Sequence, residues 1–282
     1  MPLPQPDAEG DKDDRGQVLV VGGSEQVAGA VLLAGVAALR AGAGKLQLAT
    51  VVSSAAALGM AVPEALVVGL PATRAGEIAG SRATQALASL VEKTSALLVG
   101  PGMSSDRSAH ALLAPLVSHL RDDATLVLDA AGILALRTDE TLLHALNGRA
   151  VLTPHAGEMA SLLGIDKRDV EKDPSSCARE AAARYGAVVA LKGPESWIAE
   201  PEGTLYRYTG GTVGLATSGS GDTLAGIISG LAARGAPGVR AAIWGAFVHG
   251  AAGRALSQRV GPIGFLAREL LDELPPLLWR LR

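Results

Sequence analysis

The feature that most constrains the fold of this chain is an alternation of short, largely apolar runs with longer Ala- and Leu-rich segments. The runs predicted as strands are 17–21, 45–52, 65–68, 96–99, 126–129, 150–153 and 188–192. A run that is apolar throughout belongs to a strand with both faces covered, because a half-exposed strand alternates apolar with polar residues. The pattern therefore predicts an α/β fold with a mainly parallel sheet between helices.

The pattern changes after Lys192. Residues 196–208 read as two strands around a Pro/Gly turn, which predicts an antiparallel hairpin at the sheet edge. From Asp222 onward the chain is predicted to be mostly helical. There is no Ser/Gly linker and no internal repeat, so we predict one domain over residues 16–282. Residues 1–15, rich in Pro, Asp and Gly, are predicted to be a disordered tail.

Composition excludes several classes of protein. A net charge of -3, with no basic stripe, gives no footprint for nucleic acid. Cys177 is the only cysteine, which excludes intrachain disulfides and a thiolate metal cluster. The longest uncharged stretch, 46–63, is too polar and interrupted to span a membrane. No apolar signal segment opens the chain. We therefore expect a soluble, cytoplasmic protein.

Turn or polar residues follow five of the predicted strands. Because ligands of open α/β sheets bind outside the carboxyl ends of the strands, we expect these residues to share one crevice. Each segment taken singly is weak evidence for a binding site, since glycine commonly follows a strand in a tight turn. The segments are Gly22–Ser24, Gly100–Gly102, Asp129, Thr153–His155 and Lys192–Gly193.

The segment 214–226 carries the strongest chemical signal. Asp222 follows the glycine-rich turn 219–221 and precedes an apolar helical run. A helix N-terminus attracts phosphate, glycines allow close approach of an anion, and a carboxylate there can take a proton from a hydroxyl. This predicts phosphoryl transfer to an alcohol. The alternative is structural, because Asp is also a common N-cap.

Other polar residues also allow two interpretations. Lys192 could meet a nucleotide phosphate, or it could reach the surface from a strand end. His155 could bond a substrate phosphate or carbonyl, or it could belong to a capping turn, and Glu158 is explained by the helix dipole alone. No His-Glu-x-x-His motif is present, so no protein-ligated metal is predicted. Gly22–Ser24 lacks the spacing of a dinucleotide fingerprint, which disfavours hydride transfer.

Several of these segments, in this order, resemble the ADP/ATP-dependent NAD(P)H-hydrate dehydratases of the ribokinase-like superfamily. The Arg-Ala-Gly-Ala-Gly and Thr-Pro-His-x-Gly-Glu elements are specific to this branch, whereas Gly-Ser-Gly-Asp is shared with related kinases. The matching segments are 20–24 with 29–30, 38–44, 63–64, 100–102, 128–129, 152–158, 191–193 and 216–222. The resemblance implies a three-layer αβα ribokinase-like fold and a stand-alone bacterial type.

The resemblance also implies a reaction and a set of site residues. The family phosphorylates the ring hydroxyl of hydrated NAD(P)H (NADHX or NADPHX) with ADP or ATP, and phosphate then leaves. Mg²⁺ would neutralise the transferring group, and a homotetramer is implied. Asp222 would be the catalytic base. Substrate contacts would come from Ala43, Gly102, His155 and Asp222. Nucleotide contacts would come from Lys192, Gly193, Pro194, Glu195, Ser196, Gly219, Ser220 and Gly221.

The chain departs from the family pattern at four places. An aromatic usually stands at Val27, a second carboxylate at Ala131, an Asn-Pro-Gly-Met segment from Thr212, and Gly at Ser218. Two alternatives therefore stay open. One is a vitamin, hydroxymethylpyrimidine or sugar kinase of the same superfamily, which would release a stable phosphorylated product. The other is a nucleotide-binding regulatory protein with weak catalysis.

Overall fold

The computed structural model describes residues 2–3, 5 and 9–281, and within them the strands form one sheet. The strands are β1 (Gln17–Val21), β2 (Lys45–Val51), β3 (Ala65–Leu70), β4 (Ala96–Val99), β5 (Thr125–Leu128), β6 (Ala150–Leu152), β7 (Val188–Leu191), β8 (Ser196–Ala199) and β9 (Leu205–Tyr208). Their spatial order is β3-β2-β1-β4-β5-β6-β7-β8-β9. All pairs from β3 to β7 are parallel, whereas β7–β8 and β8–β9 are antiparallel. The predicted parallel sheet and its edge hairpin are confirmed.

Helices connect the strands and cover the sheet. They are α1 (Gly29–Arg40), α2 (Val52–Ala61), α3 (Gly80–Val91), α4 (Asp106–His119), α5 (Ala131–Leu134), α6 (Ala156–Leu163), α7 (Lys167–Lys172), α8 (Pro174–Tyr185), α9 (Ser220–Ala233), α10 (Gly238–Arg259) and α11 (Ala267–Arg280). Short 3-10 helices lie at Ala135–Thr138, His144–Leu146 and Val213–Leu215. No helix among the described residues is both long and apolar enough to cross a membrane.

Two apolar cores lie on opposite faces of the sheet. Successive residues of β1 alternate between them: Leu19 and Val21 join α3, α4, α6 and α8, whereas Val18 and Val20 join α1, α9, α10 and α11. Alternation of this kind follows from the two-residue period of a strand, and it explains why both faces must be apolar. The architecture is the expected three-layer αβα arrangement.

Close packing fixes the direction of α9 under the sheet. Gly226 and Gly230 lie so near the backbone of α1 that a Cβ on either would collide with a carbonyl oxygen of Ala34 or Ala38. The helix therefore runs from the carboxyl edge of the sheet, where Ser220 lies, to the amino edge, where Arg234 contacts Gly42. The functional segment is thereby anchored to a rigid element.

The predicted tail over residues 1–15 falls partly outside the described residues. Of the described part, Leu3 is buried and Asp13 forms an ion pair with Lys45. The disordered tail and the domain boundary at residue 16 stay predictions.

Candidate active site

The strand ends at which one shared crevice is expected contact their neighbours along the carboxyl edge of the sheet. The Gly23 N–H donates to the Pro101 carbonyl at 2.7 Å, and Gly100 is pressed so closely against Asp129 that a Cβ would collide with its carbonyl. On the other side, the Lys192 N–H donates to the Pro154 carbonyl at 2.7 Å. Strand-end residues from β1 to β7 thus form one continuous edge.

Asp222 lies inside the first turn of α9. The N-cap is Gly219, whose φ of 86° is left-handed and therefore suits glycine, and the helix begins at Ser220. The interpretation of Asp222 as a simple N-cap is wrong. Thr223 donates its N–H back to the Gly219 carbonyl at 3.1 Å, so the N–H groups of Gly221 and Asp222 precede the intrahelical ladder. Such groups at the positive end of a helix favour an anion.

Lys192 is the centre of a buried charge cluster. Its Nζ donates to Asp129 Oδ1 at 2.8 Å and lies 3.9 Å from Glu158 Oε2. The side chains are 20%, 5% and 12% exposed respectively, so the interpretation of Lys192 as a lysine reaching the surface is wrong. Thr153 Oγ1 also donates to Asp129 Oδ1, at 2.8 Å, which fixes that carboxylate.

The cluster changes the protonation of its members. Burial above all, and then the charge of Asp129, raise the pKa of Asp222 to about 6, although Lys192 opposes them. Burial lowers the pKa of Lys192, but Asp129 and Glu158 more than compensate, so its pKa lies above the ordinary value. A carboxyl group that titrates near neutral pH inside a crevice is typical of a catalytic acid or base.

His155 is both a helix cap and a candidate ligand. Its Nδ1 accepts from the N–H groups of Gly157 at 2.9 Å and Glu158 at 3.1 Å, while Glu158 Oε2 accepts from the His155 N–H at 2.8 Å. The capping interpretation is thus realised. Because Nδ1 accepts, the neutral ring carries its proton on Nε2, and the side chain is 59% exposed. The outer nitrogen lies 3.5 Å from Glu158 Oε1, so a ligand at Nε2 would share it with that carboxylate.

A cavity of about 810 Å³ opens beside the first turn of α9. It is bounded by the ends of β7 to β9, the 3-10 helix Val213–Leu215, and α10. Of the residues predicted to bind the nucleotide, it is lined by Lys192, Gly193, Pro194, Ser196, Ser220 and Gly221. A Cβ on Gly221 would lie 3.2 Å from Lys192 Nζ, so the glycine leaves room at the ammonium.

Five predicted site residues do not line this cavity: Asp222, which faces the charge cluster around Lys192, and Glu195, Gly219, Gly102 and Ala43. Glu195 is paired with Arg207, which lowers the pKa of its carboxyl group, and it faces a neighbouring cavity of about 410 Å³. Gly219 packs against Leu33 as the helix cap. Gly102 lies at the carboxyl end of β4, where its left-handed φ of 69° requires glycine.

Ala43 is not brought to the other site residues. It is buried before β2, and the next residue, Gly44, donates to the Gly16 carbonyl, ahead of β1. Ala43 therefore lies at the amino edge of the sheet, near the end of α9 that is opposite Asp222. The 14 residues of α9 place its two ends about 20 Å apart.

The sequence interpretation missed two residues. Glu158, explained there by the helix dipole, contributes to the charge cluster around Lys192. His249, in the middle of α10, is 9% exposed, lines the cavity, and has Nε2 3.0 Å from Ser220 Oγ. A polar residue among Ala, Val and Gly on the buried face of a helix was the only available signal for His249.

The donor set at the crevice consists of oxygen atoms. The carboxylates of Asp129 and Glu158 both approach Lys192, and Asp222 faces the same charges. No group of three or more His, Cys, Asp or Glu residues able to hold a metal by itself is found in the part of the chain that the structure describes. Such a site suits a hard cation that arrives with phosphate ligands and takes one or two carboxylates.

Comparison with known proteins gives consistent results. The family model for NAD(P)H-hydrate dehydratase matches residues 18–276. An ADP-dependent (S)-NAD(P)H-hydrate dehydratase of Xanthomonas campestris is 52% identical, covering 99% of this chain and 93% of the relative. The bifunctional NAD(P)H-hydrate repair enzyme Nnr of Moorella thermoacetica is 41% identical, and the chain spans about half, 52%, of its length.

A solved structure has the same fold. The ADP/ATP-dependent NAD(P)H-hydrate dehydratase of Bacillus subtilis, co-crystallised with ATP and Mg²⁺, superposes with a TM-score of 0.80 at 29% identity, covering 100% of this chain and 95% of that one.

Proposed function

The chain belongs to the NAD(P)H-hydrate dehydratase family, and we propose on that premise that it repairs NAD(P)H whose nicotinamide ring has taken up water. In this reaction ADP or ATP phosphorylates the ring hydroxyl. Loss of the phosphate, together with a proton from the neighbouring ring carbon, then restores the ring double bond. The observation that carries the proposal is Asp222, which lies in a phosphate-attracting helix turn beside Lys192 with a pKa raised to about 6 by burial.

Asp222 is the proposed base. As a carboxylate it takes the proton from the ring hydroxyl while the hydroxyl oxygen attacks the terminal phosphorus of the nucleotide and the bond to the leaving nucleotide breaks. A pKa of about 6 leaves Asp222 mostly ionised at neutral pH and makes it a stronger base than an ordinary aspartate. General base catalysis of this kind contributes about 10²–10⁴ in rate.

The first turn of α9 and Lys192 are the proposed phosphate contacts. The N–H groups of Gly221 and Asp222 stand at the positive end of the helix, and the Lys192 ammonium lies beside Gly221. Pre-oriented donors stabilise negative charge without reorganisation during the reaction. The adenosine portion of the nucleotide would occupy the 810 Å³ cavity, whose walls include Pro194 and Leu215.

The substrate would approach from the β1 and β4 side of Asp222. Gly102 lies on that side, at the carboxyl end of β4, whereas His155 lines the 810 Å³ cavity and would reach the substrate from there. The family resemblance names Ala43 as a further substrate contact. Because Ala43 lies at the opposite edge of the sheet, this chain's own crevice offers the substrate no contact with it.

Magnesium fits the oxygen donors of the site. Bound Mg²⁺ would supply charge neutralisation of the transferring phosphoryl group, and Glu158 or Asp129 would hold it together with the nucleotide. Those carboxylates must then exchange part of their interaction with Lys192. Residues 16–282 as one catalytic domain, assembly as a homotetramer and a cytoplasmic location are further parts of the proposal, supported by the family resemblance.

The test is recovery of absorbance at 340 nm from hydrated NADH or hydrated NADPH, with Mg²⁺ and either ADP or ATP. We expect a nucleotide-dependent rise, and the faster nucleotide identifies the phosphoryl donor. The Asp222→Asn variant is expected to bind nucleotide but to lose at least a hundredfold in turnover. Near-normal turnover in that variant would exclude Asp222 as the base.

Product analysis separates the alternatives. A stable phosphorylated product, with no absorbance recovered, would indicate a small-molecule kinase. Nucleotide binding without turnover of any hydroxylated acceptor would indicate a regulatory protein.

A further inference from the structure

His249 is a buried, titratable residue to which the proposed chemistry gives no role. It lies in α10, whose inward face is otherwise built of small apolar residues such as Ala242, Ala246 and Val248. An imidazole buried there is unfavourable unless its nitrogens are hydrogen-bonded. Its Nε2 lies 3.0 Å from Ser220 Oγ. That bond joins α10 to the first turn of α9.

The imidazole is neutral at working pH. Burial, with a smaller effect of the Lys192 charge, lowers the pKa of His249 to about 4. The residue therefore bonds to Ser220 without adding a second positive charge beside Lys192. A neutral imidazole at this position affects the nucleotide only by holding α9 in position, whereas a charged imidazole would attract the phosphate directly.

Ser220 and Asp222 point to different sides of α9. At 3.6 residues per turn they lie about 200° apart around the helix. Ser220 faces α10 and is 4% exposed, whereas Asp222 faces the charge cluster at the crevice. The Ser220 N–H donates to the Thr217 carbonyl at 3.2 Å, so the same residue also closes the glycine-rich loop.

We propose that His249 is a positioning residue for the nucleotide. Its hydrogen bond to the Ser220 hydroxyl fixes the first turn of α9. The N–H groups of Gly221 and Asp222, which bind the phosphate, are thereby held in place. The inference rests on the proposed nucleotide site, although it needs no assumption about the substrate. In this proposal the Ser220 hydroxyl links α9 to α10 through His249 and does not bind the nucleotide itself.

The experiment measures ADP affinity by calorimetry in the presence of Mg²⁺, together with the thermal midpoint. His249→Leu is expected to raise the Kd for ADP about fivefold to tenfold, which corresponds to the loss of one hydrogen bond. His249→Gln, whose amide can reach Ser220, is expected to restore the Kd to within about twofold. In turnover assays His249→Leu should raise the KM for ADP more than it lowers kcat, because saturating nucleotide re-imposes the geometry of the turn.

Two further variants separate positioning from general destabilisation. Val248→Ala truncates a fully buried neighbour on the same helix, so it should lower the thermal midpoint and leave the Kd for ADP unchanged. Ser220→Ala should weaken ADP binding as much as His249→Leu, and the double variant should bind no more weakly than either single one.

Two outcomes would overturn this inference and leave the proposed function untouched. In the first, His249→Leu binds ADP with the same Kd as the unaltered protein. In the second, Val248→Ala also raises the Kd for ADP in proportion to its loss of thermal midpoint. Failure of the unaltered protein to bind ADP would overturn the inference together with the nucleotide assignment. Binding of ADP that depends on His249 without recovery of NAD(P)H would support the inference and contradict the proposed reaction.

Discussion

Replacing Asp222 by Asn should stabilise the folded protein at alkaline pH while it lowers turnover at least a hundredfold. Burial raises the pKa of Asp222 from 3.8 to about 6, so the folded state holds this proton more tightly than the unfolded chain does. The resulting stabilisation is complete below pH 3.8 and is lost as pH rises through about 6. At pH 8 the loss amounts to about 3 kcal/mol, because each pKa unit corresponds to about 1.4 kcal/mol.

Asparagine has nearly the same shape and carries no proton to lose. The free energy of unfolding of the variant should therefore exceed that of the unaltered protein by about 2–3 kcal/mol at pH 8 and by only about 1 kcal/mol at pH 4.5. For a chain of 282 residues the larger difference raises the thermal midpoint by on the order of 4 °C. Urea unfolding at several pH values, without nucleotide, measures the difference directly.

A matched control exists in another helix. Asp106 also lies in the first turn of a helix, α4, but it is exposed, so Asp106→Asn should change stability by less than about 1 kcal/mol. The assignment of Asp222 as a buried carboxyl group with a raised pKa would be refuted by either of two results. One is no gain in the free energy of unfolding of Asp222→Asn at pH 8, and the other is a gain of equal size at pH 8 and pH 4.5.

Two other substitutions test the surroundings of this residue. Lys192→Met leaves Asp129 in a buried environment without its 2.8 Å partner and should lower the free energy of unfolding in urea at pH 8 by about 3–5 kcal/mol. Adding Asp129→Asn should restore more than half of that loss. An unchanged unfolding midpoint in Lys192→Met would contradict burial of the pair. Ala130 has φ 47° and ψ −124° in a type II′ turn closed by the Gly132 N–H to the Asp129 carbonyl at 2.9 Å, a position that favours glycine. Ala130→Gly should therefore stabilise by about 0.5–1 kcal/mol in the same assay, and a lower unfolding midpoint would show that the backbone there is unstrained.

The sheet could be predicted from sequence because its strands are buried on both faces. β4 was predicted with the bounds observed, since the run Ala96–Val99 is followed at once by Gly100. The helix α2 was not predicted. Its segment, Val52–Ala61, has no charged residue and mainly small side chains, so it lacks the alternation of polar and apolar faces that marks a helix.

The site could be predicted only in part. Asp222 and Lys192 were identified because a glycine turn or a strand end places them at the carboxyl edge of the sheet whatever the details of packing. The role of His249 depends on how α10 packs on α9, across 29 residues of sequence, and no local pattern encodes that contact. The motif match at Ala43 predicts a substrate contact, and the structure places this residue at the amino edge of the sheet, away from Asp222, so that contact stays a prediction.

The charges of the crevice explain why the proposed base is also a weak point of the fold. Asp129, Glu158 and Asp222 share a single ammonium, that of Lys192. Fully ionised, the group has a net charge of minus two in a buried environment. Burial first, and then the charges of Asp129 and Glu158, raise the pKa of Asp222. Basicity at Asp222 and stability of the folded chain therefore change in opposite directions, and the substitution that removes the base is the one that stabilises the protein.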